Sequence, residues 1–586
     1  MIRPTQALHS AQAPTDFLPS ATVLLLRPAA LGGGDGVDGV EVLISQRSAH
    51  TAFVPSMYVF PGGRVDAEDA HWAAHWMAHW QGLFPAAWPV RTRTQALAAV
   101  RECFEEMGVL LALDADGLAP DAAQSASLQR QQPLFAQLAA KGWQPAISAL
   151  AWVCDRVPPA SLPRRYHTAF FYAAMPAAQS VQPDLHEQLD AVWLPVRSSE
   201  WQTSQGQQRY PMIAPTVEAL QGLQQFASPA AALAAARAQN PVPHHFAREV
   251  WQGGALQRIN ATHLAYAEVE LIDVSGQVQP SIDWQYQQPV LLTQSVQRIT
   301  CPNPSMMSGP GTNTYLIGSA EQGFVVLDAG PADKGHIRRI LQATGGRIHS
   351  LFCTHSHPDH APGALLLHRF LRLKQTPVPL YGMASLPTAA AHSRFTPTHQ
   401  VEDGQLLVLP AIADKQALTL QCIHTPGHAA NHVCLLLQED GILFSGDHIL
   451  SGTTTVIAPP DGDMDDYLLA LDKLDAACTQ WDAQYILPAH GHVLGGFGAT
   501  EPTQPPASGA GARRIIAYYR QHRWAREAKI MAAMRSAGIS SNTPASRQQL
   551  LPLAYADAPP ALWPVAERSL EAHIARILAL GLLAKA

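Results

Sequence analysis

The sequence has no long hydrophobic run and few charged residues. No stretch of the 586 residues approaches about 18 consecutive apolar residues, so we expect no membrane span. Charged residues make up 15% of the chain and hydrophobic residues 47%, whereas a typical domain has about 25% charged residues. This composition excludes a disordered chain and is sufficient for several hydrophobic cores. At about 100–200 residues per domain, the length predicts two to four domains.

Cysteine is scarce and follows no pattern. The seven cysteines form no CxxC pair, and they are Cys103, Cys154, Cys301, Cys353, Cys422, Cys434 and Cys478. An odd and scattered set argues against a disulfide scaffold and against a cysteine-based zinc finger. Residues 1–30 also lack the pattern of a secretory signal peptide. We therefore expect a cytoplasmic protein.

Histidine, in contrast, is abundant and clustered. The chain has 26 histidines against 39 lysines and arginines, and thirteen of them lie between His349 and His492. Because histidine is the commonest metal ligand in proteins, this clustering predicts a metal site in the second half of the chain.

Segments rich in proline, glycine and other helix breakers divide the chain into blocks. We predict a first domain at 16–226, a connector at 227–254, a second domain at 255–499, a linker at 500–514 and a small helical domain at 515–586. From Arg513 to Ala586 there are eleven basic and four acidic residues. Such a basic segment suits either nucleic-acid binding or a solvated helix face.

Three glutamates are spaced to share one face of a helix. Glu102, Glu105 and Glu106 stand at i, i+3 and i+4 in a predicted helix from about Thr94 to Gly108. Like charges at this spacing repel one another unless a cation lies over them. Ligands that are all oxygen favour Mg²⁺ or Mn²⁺.

A glycine pair and an arginine complete this pattern. Gly62 and Gly63 permit a tight loop beside a phosphate. Together with the sequence RECFEEMGV, in which Arg101 precedes Glu102, they resemble the Nudix box, whose pattern is G-x5-E-x7-R-E-U-x-E-E-x-G-U with U aliphatic. The first half of the box leads to Glu68 or Asp69, and 31 residues then separate Asp69 from Arg101 where the pattern has seven.

The lengthened box resembles the acyl-CoA and CoA diphosphatase branch of the Nudix hydrolases. The resemblance implies an α/β/α sandwich in which Glu105 and Glu106 hold metal, Glu102 is a ligand or base, and Arg101 orients a glutamate. It also implies attack of water on a pyrophosphate of a CoA- or nucleotide-type substrate. The alternative is that this domain is a non-catalytic ligand sensor.

Histidine and aspartate ligands follow several strand-like runs in the second block. The loop CTHSHPDH comes after the apolar run 348–353 and supplies His355, His357, Asp359 and His360. His428, Asp447 and His490 lie in three later segments, each after an apolar run. Imidazoles with a few carboxylates suit zinc or another transition metal.

These segments resemble the metallo-β-lactamase superfamily, which implies an αβ/βα sandwich and two zinc or similar ions. The implied ligands are His355, His357 and His428 for one ion, Asp359, His360 and His490 for the other, and Asp447 as a bridge. The resemblance further implies that a hydroxide between the metals attacks an ester or thioester, and that Asp359 helps to orient it.

The C-terminal segment resembles the winged helix of lactamase-β-like hydrolases, a branch with both single-strand ribonucleases and thioester or ester hydrolases. The leading prediction is a multidomain α/β metallo-hydrolase that acts on a small molecule such as an acyl-CoA, CoA or a nucleotide. The alternative is an endonuclease for single-stranded RNA that uses the basic C-terminal domain. A homo-oligomer is left open.

Overall fold

The computed structural model describes residues 17–583 except 30–38, 52–53, 80–82, 87, 160–161, 163–164, 198–208, 240–241, 243, 275, 413–414 and 497–510. The described residues form two compact units, 17–247 and 248–583. No helix among them is both long enough and apolar enough to cross a membrane.

The first unit is built on an eight-stranded mixed sheet and a separate two-stranded one. Its strands are β1 (Leu18–Pro28), β2 (Val40–Arg47), β3 (Tyr58–Val59), β4 (Gly62–Arg64), β5 (Ala112–Leu113), β6 (Gln144–Pro145), β7 (Ala151–Val157), β8 (Tyr166–Ala174), β9 (Gln188–Pro195) and β10 (His244–Phe246). The large sheet runs β10-β7-β8-β1-β2-β3, with β4 also paired to β1 and β9 to β2. Strands β5 and β6 pair only with each other.

Helices lie on both faces of the large sheet. They are α1 (Ala67–His79), α2 (Val90–Met107), α3 (Ala122–Ala126), α4 (Leu134–Ala140), α5 (Ala214–Leu223) and α6 (Pro229–Ala238). Side chains alternate along a strand, so Val23 and Leu25 of β1 face the core under α2, whereas Leu24 and Leu26 face the core under α5 and α6. Residues of the predicted connector 227–254 thus supply α6 and the edge strand β10 to this unit.

The second unit contains two larger sheets and one hairpin. Its strands are β11 (Arg248–Gln252), β12 (Ala255–Ile259), β13 (Val290–Leu291), β14 (Val296–Thr300), β15 (Asn313–Ser319), β16 (Gly323–Leu327), β17 (Ile348–Phe352), β18 (Leu380–Gly382), β19 (His399–Gln400), β20 (Leu406–Leu409), β21 (Leu418–His424), β22 (Val433–Leu437), β23 (Ile442–Gly446), β24 (Tyr485–Pro488) and β25 (Leu494–Gly495). Strands β13–β19 form a seven-stranded sheet, β20–β25 a six-stranded sheet, and β11–β12 the hairpin.

The two larger sheets pack face to face between layers of helices. The helices are α7 (Tyr266–Ile272), α8 (Lys334–Thr344), α9 (Ala361–Leu373), α10 (Met464–Gln480), α11 (Gly511–Ala537), α12 (Pro544–Ala554) and α13 (Trp563–Ala579). The inner core joins residues of both sheets, such as Phe352 and Phe444. Helices α8 and α9 cover the outer face of the first sheet, and α10 and α11 cover the second. The predicted αβ/βα sandwich is confirmed.

The two sheets are joined at the end where the predicted ligands lie. Thr312, just before β15, forms an isolated bridge with His490, just after β24. Beside it, the Asn313 backbone N–H donates to the Ala489 carbonyl at 2.7 Å. Loops that follow strands of both sheets therefore meet at one edge of the sandwich.

The C-terminal segment is helical where the structure describes it. Residues 511–583 contain α11, α12 and α13 but no β-strand, so the hairpin that gives a winged helix its wing is not found there. Residues 500–510 of the predicted linker lie outside the described residues, and α11 begins at Gly511. The winged-helix assignment stays a prediction.

A buried ion pair ties α7 to the sandwich. Arg298 of β14 donates two hydrogen bonds, at 2.5 and 2.9 Å, to the Glu268 carboxylate. The same carboxylate lies 3.1 Å from His492 Nδ1 and accepts the Val493 backbone N–H at 3.3 Å. Burial raises the pKa of Glu268, but Arg298 and His492 outweigh that effect and hold it well below its ordinary value.

We expect Glu268→Gln to lower the free energy of unfolding by about 3–5 kcal/mol at pH 7, because Arg298 would be left buried without its counter-ion. A depressed carboxylate pKa stabilises the fold above the unfolded pKa of 4.5, and this contribution is lost as the pH falls through the folded value. The difference in the free energy of unfolding between variant and parent, measured by urea unfolding, should therefore be smaller below about pH 4 than at pH 7. Glu402→Gln, at an exposed site, is the control. An equal difference in the free energy of unfolding at pH 7 and below pH 4 would contradict the prediction.

Candidate metal centre

The loop after β17 carries the histidine motif and is held by Asp328. This aspartate follows β16 and adopts a positive φ of 50°. Its two carboxylate oxygens accept the backbone N–H of Thr354 at 2.8 Å and the Thr354 hydroxyl at 2.7 Å. Asp328 thus fixes the start of the loop that supplies the first predicted ligands.

The first group of predicted ligands is closely packed. His357 Nδ1 lies 3.0 Å from Nε2 of His355 and 3.0 Å from Nε2 of His428. Asp447 Oδ2 lies 3.5 Å from His428 Nε2 and 4.0 Å from His355 Nε2. The four ligand atoms all lie within 4.8 Å of one another.

The second group shares Asp447 with the first through its other oxygen. Asp359 Oδ2 lies 3.4 Å from His490 Nε2 and 3.7 Å from His360 Nε2. Asp447 Oδ1 lies 3.3 Å from His490 Nε2 and 3.5 Å from His360 Nε2. One carboxylate therefore faces both groups, with a different oxygen turned toward each.

In three of the histidine rings, the nitrogen that points away from the cluster has a hydrogen-bond partner that fixes a proton on it. The Nδ1 atom lies 2.7 Å from the Val456 carbonyl in His428 and 3.1 Å from the Gly311 carbonyl in His490. Because a carbonyl only accepts, Nδ1 carries the proton in both rings. In His360, Nδ1 donates to Asp328 Oδ2 at 3.0 Å. These bonds direct each Nε2 at the cluster. Metal-bound histidines are oriented in the same way, by a hydrogen bond from the ring nitrogen that does not bind the metal.

Nearby histidines outside these groups have other contacts. His432 Nε2 accepts the Asp447 backbone N–H at 3.1 Å, which fixes the backbone of the shared carboxylate. His424 Nε2 donates to the Ala430 carbonyl at 3.1 Å, and His492 bonds Glu268 as described above. His448 is fully buried beside Tyr467.

The two groups differ in protonation. Burial lowers the pKa of His355 far below its usual value and that of His357 to about 3, so both rings are neutral at pH 7. Burial also acts on His360 and His490, but the carboxylates outweigh it. Asp359 and Asp447 raise the pKa of His360 well above its usual value, and Asp447 and Asp359 raise that of His490 to about 10.

The first unit brings the predicted acidic residues around Arg101. Arg101 bonds both oxygens of Asp69 at 3.0 Å, and also Glu102 at 3.0 Å and Glu105 at 2.9 Å. Of the two candidates for the first acidic position of the box, Asp69 is thus the one bound to Arg101. Helix α2 ends at Met107, capped by Gly108 with φ 67°, and it begins at Val90, earlier than predicted.

Gly62 and Gly63 of strand β4 pack directly on the glutamates of α2. The Gly62 N–H donates to Glu106 at 2.9 Å, and Gln188 Nε2 donates to the other oxygen of Glu106 at 2.7 Å. A Cβ at Gly63 would lie 2.2 Å from a Glu102 oxygen, so a larger residue would have to displace that carboxylate. The predicted phosphate loop is thus wrong in one respect, because Gly62 and Gly63 belong to strand β4, which pairs with β1 and lies against the glutamate face.

Among the described residues, the glutamates do not form a set as compact as the histidine groups. Arg101 bonds Glu102 and Glu105, whereas Glu106 turns to Gly62 and Gln188. Burial raises the pKa of Glu102 to about 7 despite Arg101, and that of Glu106 to about 8 with Glu102 adding to the effect. Buried carboxylates of this kind are stabilised as anions by an added cation.

A family model described as the metallo-beta-lactamase superfamily matches residues 308–480. The chain is also 30% identical over 296 residues to a beta-lactamase-like protein 2 homolog of Drosophila melanogaster, across 49% of this chain and 88% of that relative. The chain belongs to the metallo-β-lactamase superfamily. It is therefore a hydrolase, as predicted.

Three further proteins are similar to parts of the chain. An atrochrysone carboxyl ACP thioesterase of Aspergillus chevalieri is 30% identical, over 42% of this chain and 67% of its own length. A beta-lactamase domain protein from Burkholderia ambifaria is 19% identical with TM-score 0.38, over 50% of this chain and 90% of that one. A NUDIX hydrolase from Alicyclobacillus acidocaldarius is 27% identical with TM-score 0.31, over 38% of this chain and 97% of that one.

The residues of the metallo-β-lactamase site fit the zinc ions that this fold typically binds. His360 Nε2 and Asp447 Oδ1 are buried and make no hydrogen bond, although buried polar atoms normally do. They face each other in a cluster of five imidazoles and two carboxylates. Nitrogen-rich donors with a few oxygens are the set that zinc prefers.

Several basic residues of the C-terminal segment pair with aspartates of the metallo-β-lactamase unit. Arg513 pairs with Asp475 at 3.0 Å and Arg520 with Asp472 at 3.1 Å. Arg526 and Lys529 both pair with Asp557, at 2.7 and 2.8 Å. Arg523 is buried. Such pairing leaves less positive charge for phosphates than the composition suggests.

Several residues that hold the metallo-β-lactamase ligands were not found from the sequence. Val456 and Gly311 act through backbone carbonyls, which carry no side-chain signal. Gln188 of the first unit is similar, because a single glutamine far from the box has no recognisable spacing. It holds Glu106 and in turn accepts the Ser45 hydroxyl at 2.8 Å.

We expect zinc binding to release about two protons per chain at pH 7, because His360 and His490 hold protons that the metal must displace. The apparent affinity should rise with pH for the same reason. Calorimetric titration in two buffers of different ionisation enthalpy measures the release. His355→Ala should lower the zinc content below that of the parent, whereas His349→Ala, at an exposed position, should not. Zinc uptake without proton release would contradict this assignment.

Proposed function

We propose that the second unit hydrolyses an ester or thioester of a small-molecule substrate with two zinc ions. The carrying observation is that the two oxygens of Asp447 face two separate histidine groups at 3.3–3.5 Å. The proposed ligands are His355, His357 and His428 for one ion, Asp359, His360 and His490 for the other, and Asp447 for both.

The preference for a thioester rests on a relative. The Aspergillus protein that is 30% identical to this chain is named as an acyl-carrier-protein thioesterase. Acyl-CoA is the substrate that would also explain a pyrophosphate-hydrolysing unit in the same chain, because it contains both a thioester and a pyrophosphate.

Asp359 is the residue best placed to orient the attacking water. Bound zinc would supply Lewis-acid polarisation of the carbonyl and activation of water. The Asp359 side chain is 30% exposed, whereas at most 10% of the side chain is exposed in each of His355, His360, His428, Asp447 and His490. Burial raises its pKa, but His360 and His490 outweigh this and keep it ionised. Its Oδ2 faces His360 and His490 and would hold the second ion. As an anion, the carboxylate can also orient the attacking water by accepting a hydrogen bond from it.

We expect Asp359→Asn to lower kcat/KM for acyl-CoA thioester hydrolysis by about 10²–10⁴-fold, because a neutral amide holds zinc and orients water less well than the carboxylate does. Thiol release from a panel of acyl-CoAs, together with the zinc content of each protein, measures the effect. Asp482→Asn is a matched control at an exposed site. If the zinc-loaded parent leaves every acyl-CoA thioester intact, the thioesterase proposal fails.

For the first unit we propose Nudix-type hydrolysis of a pyrophosphate in a CoA- or nucleotide-type substrate. Support comes from the R-E-x-x-E-E-x-G pattern on α2 and from Gly62 and Gly63 of β4, which lie against it. The donor set contains only oxygen, which suits Mg²⁺ or Mn²⁺. Glu102, Glu105 and Glu106 are the proposed ligands. The cation would stabilise charge on the phosphates, and Arg101 would orient Glu102 and Glu105.

Experiments can distinguish these proposals from two alternative functions. The first unit could act as a ligand sensor without catalysis, and the second could cut single-stranded RNA. The pairing of Arg513, Arg520 and Arg526 with aspartates disfavours the RNA alternative. Cleavage of an RNA oligonucleotide that His355→Ala abolishes would favour it.

We expect the double change Glu105→Gln, Glu106→Gln to abolish Mg²⁺-dependent pyrophosphate hydrolysis of acyl-CoA and to leave thioester hydrolysis unaltered, because glutamine has the shape of glutamate but cannot become the anion that Mg²⁺ binds. His355→Ala should produce the reverse result. Phosphate-ester products and free thiol are quantified from the same incubations. CoA pyrophosphate hydrolysis that survives the double change would contradict the assignment. Pyrophosphate left intact by the parent, with Mg²⁺ still bound, would indicate a sensor.

A further inference from the structure

The loop that follows β23 serves two of the proposed ligands at once. Residues 447–457 begin with Asp447 itself, and Val456 near the other end holds His428 Nδ1 at 2.7 Å. Thr455 closes the loop on itself, because its hydroxyl donates toward the carbonyls of Asp447 at 2.8 Å and His448 at 3.0 Å. The position of this loop therefore sets both the shared carboxylate and one imidazole.

Tyr519 of α11 holds the middle of the loop. Its hydroxyl accepts the Leu450 backbone N–H at 3.0 Å and lies 2.8 Å from the Thr453 carbonyl. The residue is only 4% exposed. A single buried hydroxyl thus satisfies backbone groups on both sides of the loop's turn, which would otherwise lack partners.

Two further side chains flank Val456. The Arg523 guanidinium donates to the Thr455 carbonyl, one residue before Val456. The Ser569 hydroxyl of α13 accepts the Ile457 backbone N–H, one residue after it, at 3.2 Å. The peptide that carries the Val456 carbonyl is therefore fixed from both sides by the C-terminal helices.

Arg523 is unlike the other basic residues of α11. It is 3% exposed, and its guanidinium carbon lies 5.0 Å from the centre of the Tyr467 ring. Burying a cation is costly, so a buried arginine is retained where it has specific partners. Its neighbour Arg520, in contrast, pairs with Asp472 of α10 at 3.1 Å.

We propose that Tyr519, Arg523 and Ser569 are positioning residues of the metal centre. They fix the 447–457 loop, so that the Val456 carbonyl holds the proton on His428 Nδ1 and turns Nε2 toward the site. All three lie outside residues 308–480, the segment matched by the family model. This inference rests on the proposed zinc site and gives the C-terminal helices a role in building it.

The test compares zinc affinity in full-length variants with matched neighbours. Tyr519→Phe removes one hydroxyl, and Arg523→Met removes the donor to Thr455, with Tyr518→Phe and Arg520→Met as controls. We expect competition with a chromogenic chelator to show zinc binding weakened by about 10–100-fold in the first pair and unchanged in the controls. The visible spectrum of the Co²⁺-substituted protein should shift in the first pair alone. Arg523→Lys, which keeps a donor, should recover part of the affinity.

The outcomes separate this inference from the proposed function. If Tyr519→Phe and Arg523→Met bind zinc and colour with Co²⁺ like their controls, the positioning role is wrong even though His355→Ala still removes metal. If His355→Ala leaves metal binding intact, the proposed site itself is wrong. Thermal unfolding checks the fold of each variant. Should Arg523→Met unfold, Tyr519→Phe, the smaller change, decides the question alone.

Discussion

The carboxylate of Asp447 is the constraint around which the second unit is organised. It is buried among five imidazole rings, and an anion removed from water must be compensated by positive charge or by hydrogen bonds. The compensation comes from loops after β17, β21 and β24, which belong to two different sheets. Only a sandwich whose sheets end at the same edge can bring these loops together, and the bridge between Thr312 and His490 fastens that edge.

The two units stabilise buried carboxylates in different ways. In the first unit a permanent cation, the Arg101 guanidinium, bonds Asp69, Glu102 and Glu105 at once. In the second unit no arginine or lysine takes that place among the described residues of the cluster, and the nearest positive charges are the titratable rings of His360 and His490. A ring that can give up its proton leaves its nitrogen lone pair for a metal ion, whereas a guanidinium cannot. The second site can therefore exchange a proton for a metal ion, which the guanidinium of the first site cannot do.

The sequence predicts the ligand candidates from patterns along the chain, and it predicts the sandwich through the family resemblance that those patterns carry. Apolar runs end just before His355, Asp447 and His490, so side chains at these points must lie at strand ends. What the sequence could not predict depends on the backbone or on burial. Val456 acts through a carbonyl that every residue possesses, and Arg523 has the same letter as the surface arginines around it. The choice between Glu68 and Asp69 likewise required the fold, since both stand at the start of α1.

The bond between Asp69 and Arg101 has a consequence for how this chain could change. It closes the ends of a segment in which 31 residues separate two partners of one ion pair. The entropy of closing a loop grows only logarithmically with its length, by about 0.6 kcal/mol for each doubling. Residues could thus be gained or lost in the stretch between α1 and α2 with little effect on the geometry at the glutamates. The segment is a place where new surface can evolve while the acidic face on α2 stays intact.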